Sequence, residues 1–150
     1  MNDSPAETPF ILVVEDNDDD YDAMTRAFEE VPMENALLRC KSGREAMAYL
    51  RHENDAEIAK TANRPGLILL DLNMHGIDGR KVLQLIKEDE KLKGIPVVIV
   101  TTSGNEQDIL SCYKLGANAY VRKPDSFEEL VELAKQCKGF WLKTASVPKA

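Results

Sequence analysis

Five polar residues of the sequence have side chains that suit phosphoryl transfer. Glu15 and Asp16 are adjacent, and Asp71, Thr101 and Lys123 each come at the end of a short apolar segment. Two carboxylates about 5 Å apart repel by roughly 3 kcal/mol at an effective dielectric constant near 20, so a cluster of three requires a cation. Oxygen ligands suit Mg²⁺, or Mn²⁺ in its place. Because a hydroxyl and an ammonium group can donate to phosphoryl oxygens, the set indicates phosphoryl transfer to a carboxylate.

The elements that must position these residues are short apolar segments that alternate with longer amphipathic ones. Short, often β-branched segments are typical of strands buried on both faces, and apolar residues three and four apart are typical of helices. Five strands and five helices in alternation predict an α/β fold, a doubly wound parallel sheet with right-handed crossovers and helices on both faces. The predicted strands are Phe10–Val14, Ala36–Cys40, Leu67–Leu70, Val97–Val100 and Ala119–Arg122.

Capping residues and glycines mark the predicted ends of the helices. Ser42 is expected to begin the second helix, with Glu45 as its capping-box partner. Gly94 is predicted to end the third helix and Gly116 the fourth. The segment Arg51–Arg64 is polar, and its middle is expected to hold a helical turn or to be mobile.

The carboxyl ends of parallel strands meet at one edge of a doubly wound sheet, where such folds place their functional residues. Each candidate also has a purely structural interpretation. Glu15 and Asp16 suit the start of a helix, where acidic side chains complement the helix dipole. Asp71 and Thr101 can cap a turn or a helix, and Lys123 can be a solvated side chain. Because the candidates follow four different strands and have complementary charges, a shared site is favoured.

Length and charge restrict the class of protein. The chain has 150 residues, with 26 acidic and 19 basic side chains and a formal net charge of -7. This length fits one domain, predicted over residues 9–143 with flexible ends at 1–8 and 144–150. The negative charge without a local basic patch argues against nucleic-acid binding, and no apolar segment approaches the roughly 18 residues of a membrane span. The three cysteines fit no disulfide framework, which predicts a cytoplasmic protein with reduced thiols.

Four motifs occur in a specific order and spacing: ILVVEDN, LILLDLNMHGIDG, IPVVIVTTS and AYVRKP. Over about residues 9–142, the chain therefore resembles a response-regulator receiver domain of two-component signalling, the CheY-like family. The resemblance implies a flavodoxin-like sheet with strand order 2-1-3-4-5. It also implies a signalling protein that is not an enzyme beyond its own phosphotransfer and autodephosphorylation.

The resemblance implies roles for the residues at the strand ends. Asp71 matches the residue that accepts a phosphoryl group from the phosphohistidine of a sensor histidine kinase. Glu15 and Asp16 match the acidic pair that binds Mg²⁺ together with Asp71, and Asn73 would add its backbone carbonyl. Lys123 matches the family's lysine beside the phosphoacceptor.

Further positions match the residues that respond to phosphorylation in the family. Thr101 matches the switch hydroxyl and Tyr120 the switch aromatic residue. Asn73 and Ser103 lie two residues beyond the phosphoacceptor and the switch hydroxyl, where side chains steer the hydrolytic water. Both are small and polar, which predicts a phosphoryl lifetime of minutes rather than days.

The sequence departs from the common family pattern at two positions. Glu15 replaces a more usual Asp, and His75 stands where Pro is common, which predicts a looser loop after the phosphoacceptor. Neither change removes a required group. The family pattern also implies a cis peptide bond before Pro124.

Three features further resemble single-domain regulators that partner bacterial phytochrome histidine kinases: the polar segment Arg51–Arg64 and the motifs LILLDLN and GFWLK. No second domain is expected after the receiver, which predicts output through docking, dimerisation or relay to a histidine phosphotransfer protein. Phe140, Trp141 and Leu142 are candidates for a homodimer interface. Their alternative role is packing of the last helix against the sheet.

Other functions match the sequence less well. A calcium loop that begins at Asp18 would have Ala23 at the sharp turn, where glycine is required. A haloacid-dehalogenase-type phosphatase requires a second acid two residues after its nucleophile, where this sequence has Asn73. A dinucleotide-binding fold requires G-x-G-x-x-G after the first strand, where the sequence reads EDNDDD. The remaining alternative is a pseudo-receiver, a docking module of the same fold that works without phosphorylation.

Overall fold

The computed structural model describes residues 9–32, 36–51 and 64–148. Within them, five strands alternate with five α-helices, as predicted. The strands are β1 (Ile11–Val14), β2 (Leu37–Cys40), β3 (Leu67–Leu70), β4 (Val97–Thr101) and β5 (Ala119–Arg122). The α-helices are α1 (Asp18–Glu29), α2 (Gly43–Arg51), α3 (Gly79–Glu88), α4 (Glu106–Leu115) and α5 (Phe127–Gln136), and α5 continues as a π-helix over Cys137–Thr144. The middle of the polar segment after α2 lies outside the described residues, so its predicted turn or mobility stays a prediction.

The five strands form one parallel sheet in the order β2-β1-β3-β4-β5, which confirms the predicted topology. Every residue of β1, β3 and β4 is buried. These strands are continuous apolar segments because helices cover both faces of the sheet.

The core consists of one apolar cluster on each face of the sheet. On one face, Leu12 and Val14 of β1 belong to a cluster with side chains of α2, α3 and α4. On the other face, Ile11 and Val13 belong to a cluster with side chains of α1 and α5. Among the α-helices in the described residues, the longest is α1, with 12 residues. No helix in the described part of the chain has the length and apolar character that a membrane span requires.

The predicted cap of α2 is confirmed. The Ser42 hydroxyl accepts a hydrogen bond from the Glu45 N–H at 3.1 Å. The Glu45 carboxylate in turn accepts from the Lys41 N–H, one residue before the N–H that a capping box uses. At the other end of a helix, Gly116 ends α4 in the left-handed conformation, at φ 106°, as predicted.

Two local predictions are wrong. α3 ends at Glu88 rather than at Gly94, because Asp89 is extended and its side chain accepts the Lys91 N–H at 2.8 Å in a tight turn. No cis peptide bond occurs within residues 9–32, 36–51 and 64–148. The bond before Pro124, predicted to be cis, is therefore trans, the lower-energy isomer of an X–Pro bond.

Gly79 begins α3 directly against the end of β3, where a side chain has no room. A Cβ atom at Gly79 would lie 2.7 Å from the Leu72 Cα and still closer to the Asp71 carbonyl oxygen. We predict that Gly79→Ala lowers the free energy of unfolding by about 1–3 kcal/mol, the usual cost of overpacking. The matched control is Gly139→Ala, where a Cβ atom would meet nothing within 4 Å. Urea unfolding measures both variants, and equal midpoints would contradict the prediction.

Candidate functional site

The register of the sheet fixes three of the predicted site residues. Glu15, Asp71 and Lys123 each follow a strand directly, and the backbone N–H of each donates to a carbonyl of the neighbouring strand at 3.1, 3.1 and 2.7 Å, respectively. Their backbones therefore extend the strand ladders by one residue at the carboxyl edge. The parallel topology brings together side chains that are far apart in the sequence.

The Lys123 ammonium group lies among three carboxylates. Its Nζ atom is 2.8 Å from Glu15 Oε1, 3.0 Å from Asp71 Oδ2 and 2.7 Å from Asp20 Oδ2. The side chains of Glu15 and Asp71 are only 3% and 5% exposed, whereas that of Asp20 is 44% exposed. The lysine is thus the counter-ion of two carboxylates that have almost no contact with water.

One ammonium group does not fully compensate this concentration of negative charge. Burial, together with the nearby charge of Asp71, raises the pKa of Glu15 to about 7, although the hydrogen bond from Lys123 opposes the shift. Burial lowers the pKa of Lys123, but its hydrogen bonds to Asp20, Glu15 and Asp71 outweigh burial and raise it overall. The lysine therefore stays charged while Glu15 readily takes up a proton.

Asp16 lies beside this cluster and is held by His75. Asp16 Oδ2 accepts the His75 backbone N–H at 2.9 Å and contacts the His75 Nδ1 atom at 2.8 Å. Burial raises the pKa of Asp16, but the hydrogen bonds from His75 outweigh that effect and lower it. The His75 side chain itself is fully exposed.

The acidic residues fit a divalent cation. Glu15, Asp16 and Asp71 each offer one carboxylate oxygen, and these three oxygens lie within 4.8 Å of one another. An all-oxygen ligand set suits a hard cation such as Mg²⁺ or Mn²⁺. Three carboxylates against the single charge of Lys123 leave the site negative, which a divalent cation would correct.

Thr101 and Asn73 connect to the phosphoacceptor candidate. Thr101 is fully buried at the end of β4, and its Oγ1 atom accepts a hydrogen bond from the Asn73 Nδ2 atom at 3.3 Å. The Asn73 backbone N–H donates to Asp71 Oδ1 at 3.2 Å. Asn73 thus links the hydroxyl of Thr101 to the carboxylate of Asp71.

Ser103 and Tyr120 interact with each other, away from the carboxylates of Glu15, Asp16 and Asp71 that surround the proposed metal site. The Tyr120 hydroxyl donates to the Ser103 carbonyl oxygen at 2.8 Å. The Ser103 hydroxyl donates to Asp108 Oδ2 at 2.7 Å, and Asp108 also pairs with the Arg80 guanidinium of α3. The loop after β4 is thus connected to both α3 and α4.

The three candidates for a dimer interface differ in exposure. Phe140 is 51% exposed. Trp141 and Leu142 are partly buried and pack against the apolar cluster of α1 and α5. The structural alternative that the sequence offered therefore applies to two of the three residues.

Two residues with contacts to the site were missed. Asp20 lies four residues after Asp16, in an acidic run that also fits the first turn of a helix. The first turn of α1 does contain Asp18, Asp19 and Asp20, but a single one of them reaches Lys123. Asp108, also in the first turn of its helix, had no sequence signal that distinguishes it from an ordinary acidic residue.

Comparisons with known proteins agree with this arrangement. The model of the response regulator receiver domain matches residues 11–135. The response regulator Rcp1 of Synechocystis sp. (strain ATCC 27184 / PCC 6803 / Kazusa) is 37% identical over 150 residues, which cover 100% of both chains.

Solved structures are also similar. The crystal structure of the phosphorylated cyanobacterial phytochrome response regulator RcpA superimposes with a TM-score of 0.84 and 42% identity, over 94% of this chain and 99% of that chain. The Mn²⁺-bound form of Rcp1 superimposes with a TM-score of 0.81 and 37% identity, over 93% of this chain and 99% of that chain. The chain therefore belongs to the response regulator receiver domain family and is related to phytochrome response regulators.

Proposed function

We propose that the chain accepts a phosphoryl group from the phosphohistidine of a sensor histidine kinase onto Asp71. The observation that carries this proposal is the position of the buried Asp71 carboxylate, 3.0 Å from the Lys123 ammonium group and beside Glu15 and Asp16. The activity of the chain would consist of this self-catalysed phosphotransfer and of autodephosphorylation, without turnover of another substrate.

Each residue of the site would have a separate role in the phosphoryl transfer. A carboxylate oxygen of Asp71 attacks phosphorus in line, the phosphorus–nitrogen bond breaks, and the imidazole nitrogen leaves with the electron pair. The Lys123 ammonium group donates to a phosphoryl oxygen. A divalent cation held by Glu15, Asp16, Asp71 and the backbone carbonyl of Asn73 would neutralise charge on the phosphoryl group. The related response regulator Rcp1 has been crystallised in an Mn²⁺-bound form, which supports this cofactor class.

The signal would then pass from Asp71 to the surface. Thr101 moves from the Asn73 amide to a phosphoryl oxygen, and Tyr120 leaves the Ser103 carbonyl and follows inward. This repacking would alter the surface formed by α4, β5 and α5, so a local charge changes an interface. The side chains of Asn73 and Ser103 would tune the phosphoryl lifetime.

The relatives support a partner of a particular kind. RcpA is named as a phytochrome response regulator, which favours a bacterial phytochrome as the kinase for this chain. Onward relay to a histidine phosphotransfer protein, a cytoplasmic location and the domain bounds of residues 9–143 remain predictions.

The phosphoacceptor is tested by incubation with Mg²⁺ and acetyl phosphate, followed by intact mass spectrometry. We expect a mass gain of one phosphoryl group, and we expect Asp71→Asn to abolish it because the nucleophilic oxygen is lost. The matched control is Asp22→Asn, an exposed aspartate on α1, which should be phosphorylated like the wild type. A folded wild-type chain without any mass gain would support the pseudo-receiver instead.

The raised pKa of Glu15 predicts a pH-dependent metal affinity. Below about pH 7 Glu15 holds a proton in the metal-free state, and a protonated carboxyl group is a poor ligand. We expect the Kd for Mg²⁺ from isothermal titration calorimetry to be about tenfold higher at pH 6 than at pH 8, which means weaker binding at pH 6. Glu15→Gln should bind more weakly at both values and show a much smaller ratio. A ratio that is the same in both proteins would contradict the role of Glu15.

A homodimer that uses Phe140 is the proposed assembly. The ring of Phe140 is exposed and packs edge-to-face on Trp141, with ring centroids 4.9 Å apart. Because Trp141 is partly buried, this contact holds the Phe140 ring at the surface. We predict that Phe140→Asp lowers the mass measured by light scattering from dimer to monomer. Leu38→Asp, at an exposed apolar residue of β2, is the control that should leave the mass unchanged. An unchanged mass for Phe140→Asp would exclude this interface.

A further inference from the structure

Lys123 has one carboxylate partner that the proposed metal ligands do not include. An ammonium group has three N–H donors, and the Nζ atom of Lys123 has three acceptors, of which Asp20 Oδ2 is the nearest at 2.7 Å. The cluster of oxygens within 4.8 Å contains Glu15, Asp16 and Asp71 but not Asp20. Asp20 therefore contacts the lysine without belonging to the metal site.

We propose that Asp20 is a positioning residue that orients the Lys123 ammonium group towards Asp71. The inference rests on the proposed function, because orientation of the lysine matters only if Asp71 receives a phosphoryl group. A lysine side chain has a flexible four-carbon stem, so its charge needs fixed acceptors to stay in one place. With two donors occupied by Glu15 and Asp20, the third N–H is left for Asp71.

Asp20 becomes a more important acceptor for Lys123 when a metal ion and a phosphoryl group occupy the site. Glu15 would share its carboxylate with a bound divalent cation, and its contact with Lys123 would then be weaker. A phosphoryl oxygen would take the place of Asp71 Oδ2 as an acceptor. Asp20 is then the one acceptor of the three that neither event displaces.

Asp20 sits in the capped first turn of a helix that packs on the sheet, which suits an anchor. Its backbone N–H donates to the side chain of Asn17, the N-cap of α1, at 2.9 Å. The same helix is fixed to the sheet by the buried side chains of Met24 and Phe28. The cap and the packing of α1 therefore place the backbone of Asp20 within reach of Lys123.

The negative charge of Asp20 would by itself disfavour a second negative group nearby. The side chain is 44% exposed, so water and salt screen that repulsion. The hydrogen bond at 2.7 Å acts at contact distance and is not screened in the same way. We therefore expect anchoring to outweigh repulsion, and the two effects have opposite signs in an experiment.

The test compares initial phosphorylation rates with acetyl phosphate and Mg²⁺ for the wild type and three variants. We expect Asp20→Ala to be about tenfold slower than the wild type, because an aligned charge-assisted hydrogen bond is lost. Asp20→Asn keeps an acceptor oxygen and should lie between the two. Asp19→Ala removes the same charge from the same exposed helix turn and should stay within about twofold of the wild type.

Two further measurements separate positioning from other roles. We expect the Kd for Mg²⁺ to change less than about twofold in all three variants, and circular dichroism to show that each variant is folded without urea. Rates for Asp20→Ala that equal or exceed those of Asp19→Ala would overturn the inference, as would a parallel loss of Mg²⁺ affinity. If Asp20→Ala does not fold, the phosphorylation rates of Asp20→Asn and Asp19→Asn are compared instead. A rate for Asp20→Asn that equals or exceeds that of Asp19→Asn would then overturn the inference. A wild-type chain that is not phosphorylated would overturn the proposed function itself, an outcome that differs from all of these.

Discussion

The ion pairs of Lys123 with the two buried carboxylates are the interaction on which the site depends. Ionised carboxylates with almost no exposure are costly unless a counter-charge compensates them, and removal of one partner of such a pair typically costs about 3–5 kcal/mol. Lys123 supplies that compensation from the end of β5, at 2.8 Å from Glu15 and 3.0 Å from Asp71. The charge balance is incomplete, since the pKa of Glu15 is raised to about 7. A site that is short of positive charge is suited to take up a divalent cation.

The fold offers a route by which the proposed change at Asp71 would reach the surface. Asn73 joins the carboxylate of Asp71 to the hydroxyl of Thr101 at the end of β4. Two residues later, Ser103 binds Tyr120 through its carbonyl and Asp108 of α4 through its hydroxyl. Short polar contacts therefore extend from the buried carboxylate to the fourth helix, and the proposed phosphorylation of Asp71 would rearrange them.

The alternation of strands and helices and the position of the site could be predicted because apolar segments and the residues after them are local features of the sequence. The strand order was implied by the family resemblance. Parallel strands align their carboxyl ends, so residues after β1, β3 and β5 had to meet. The contact of Asp20 with Lys123 could not be predicted, because it depends on how α1 is placed against the sheet. The end of α3 at Glu88 and the π-helix after α5 depend on turn geometry that glycine positions alone do not determine. The roles of the site residues rest on the family resemblance.

A crystal structure of the chain with Mg²⁺ and beryllofluoride, a mimic of a phosphoryl group, would test most directly whether Asp71 is the phosphoacceptor. We expect beryllofluoride on a carboxylate oxygen of Asp71, Mg²⁺ bound by Glu15, Asp16 and Asp71, and the Lys123 Nζ atom within hydrogen-bond distance of a fluorine. Beryllofluoride bound elsewhere, or a Lys123 side chain turned away from Asp71 with the adduct in place, would contradict the proposed chemistry of this site.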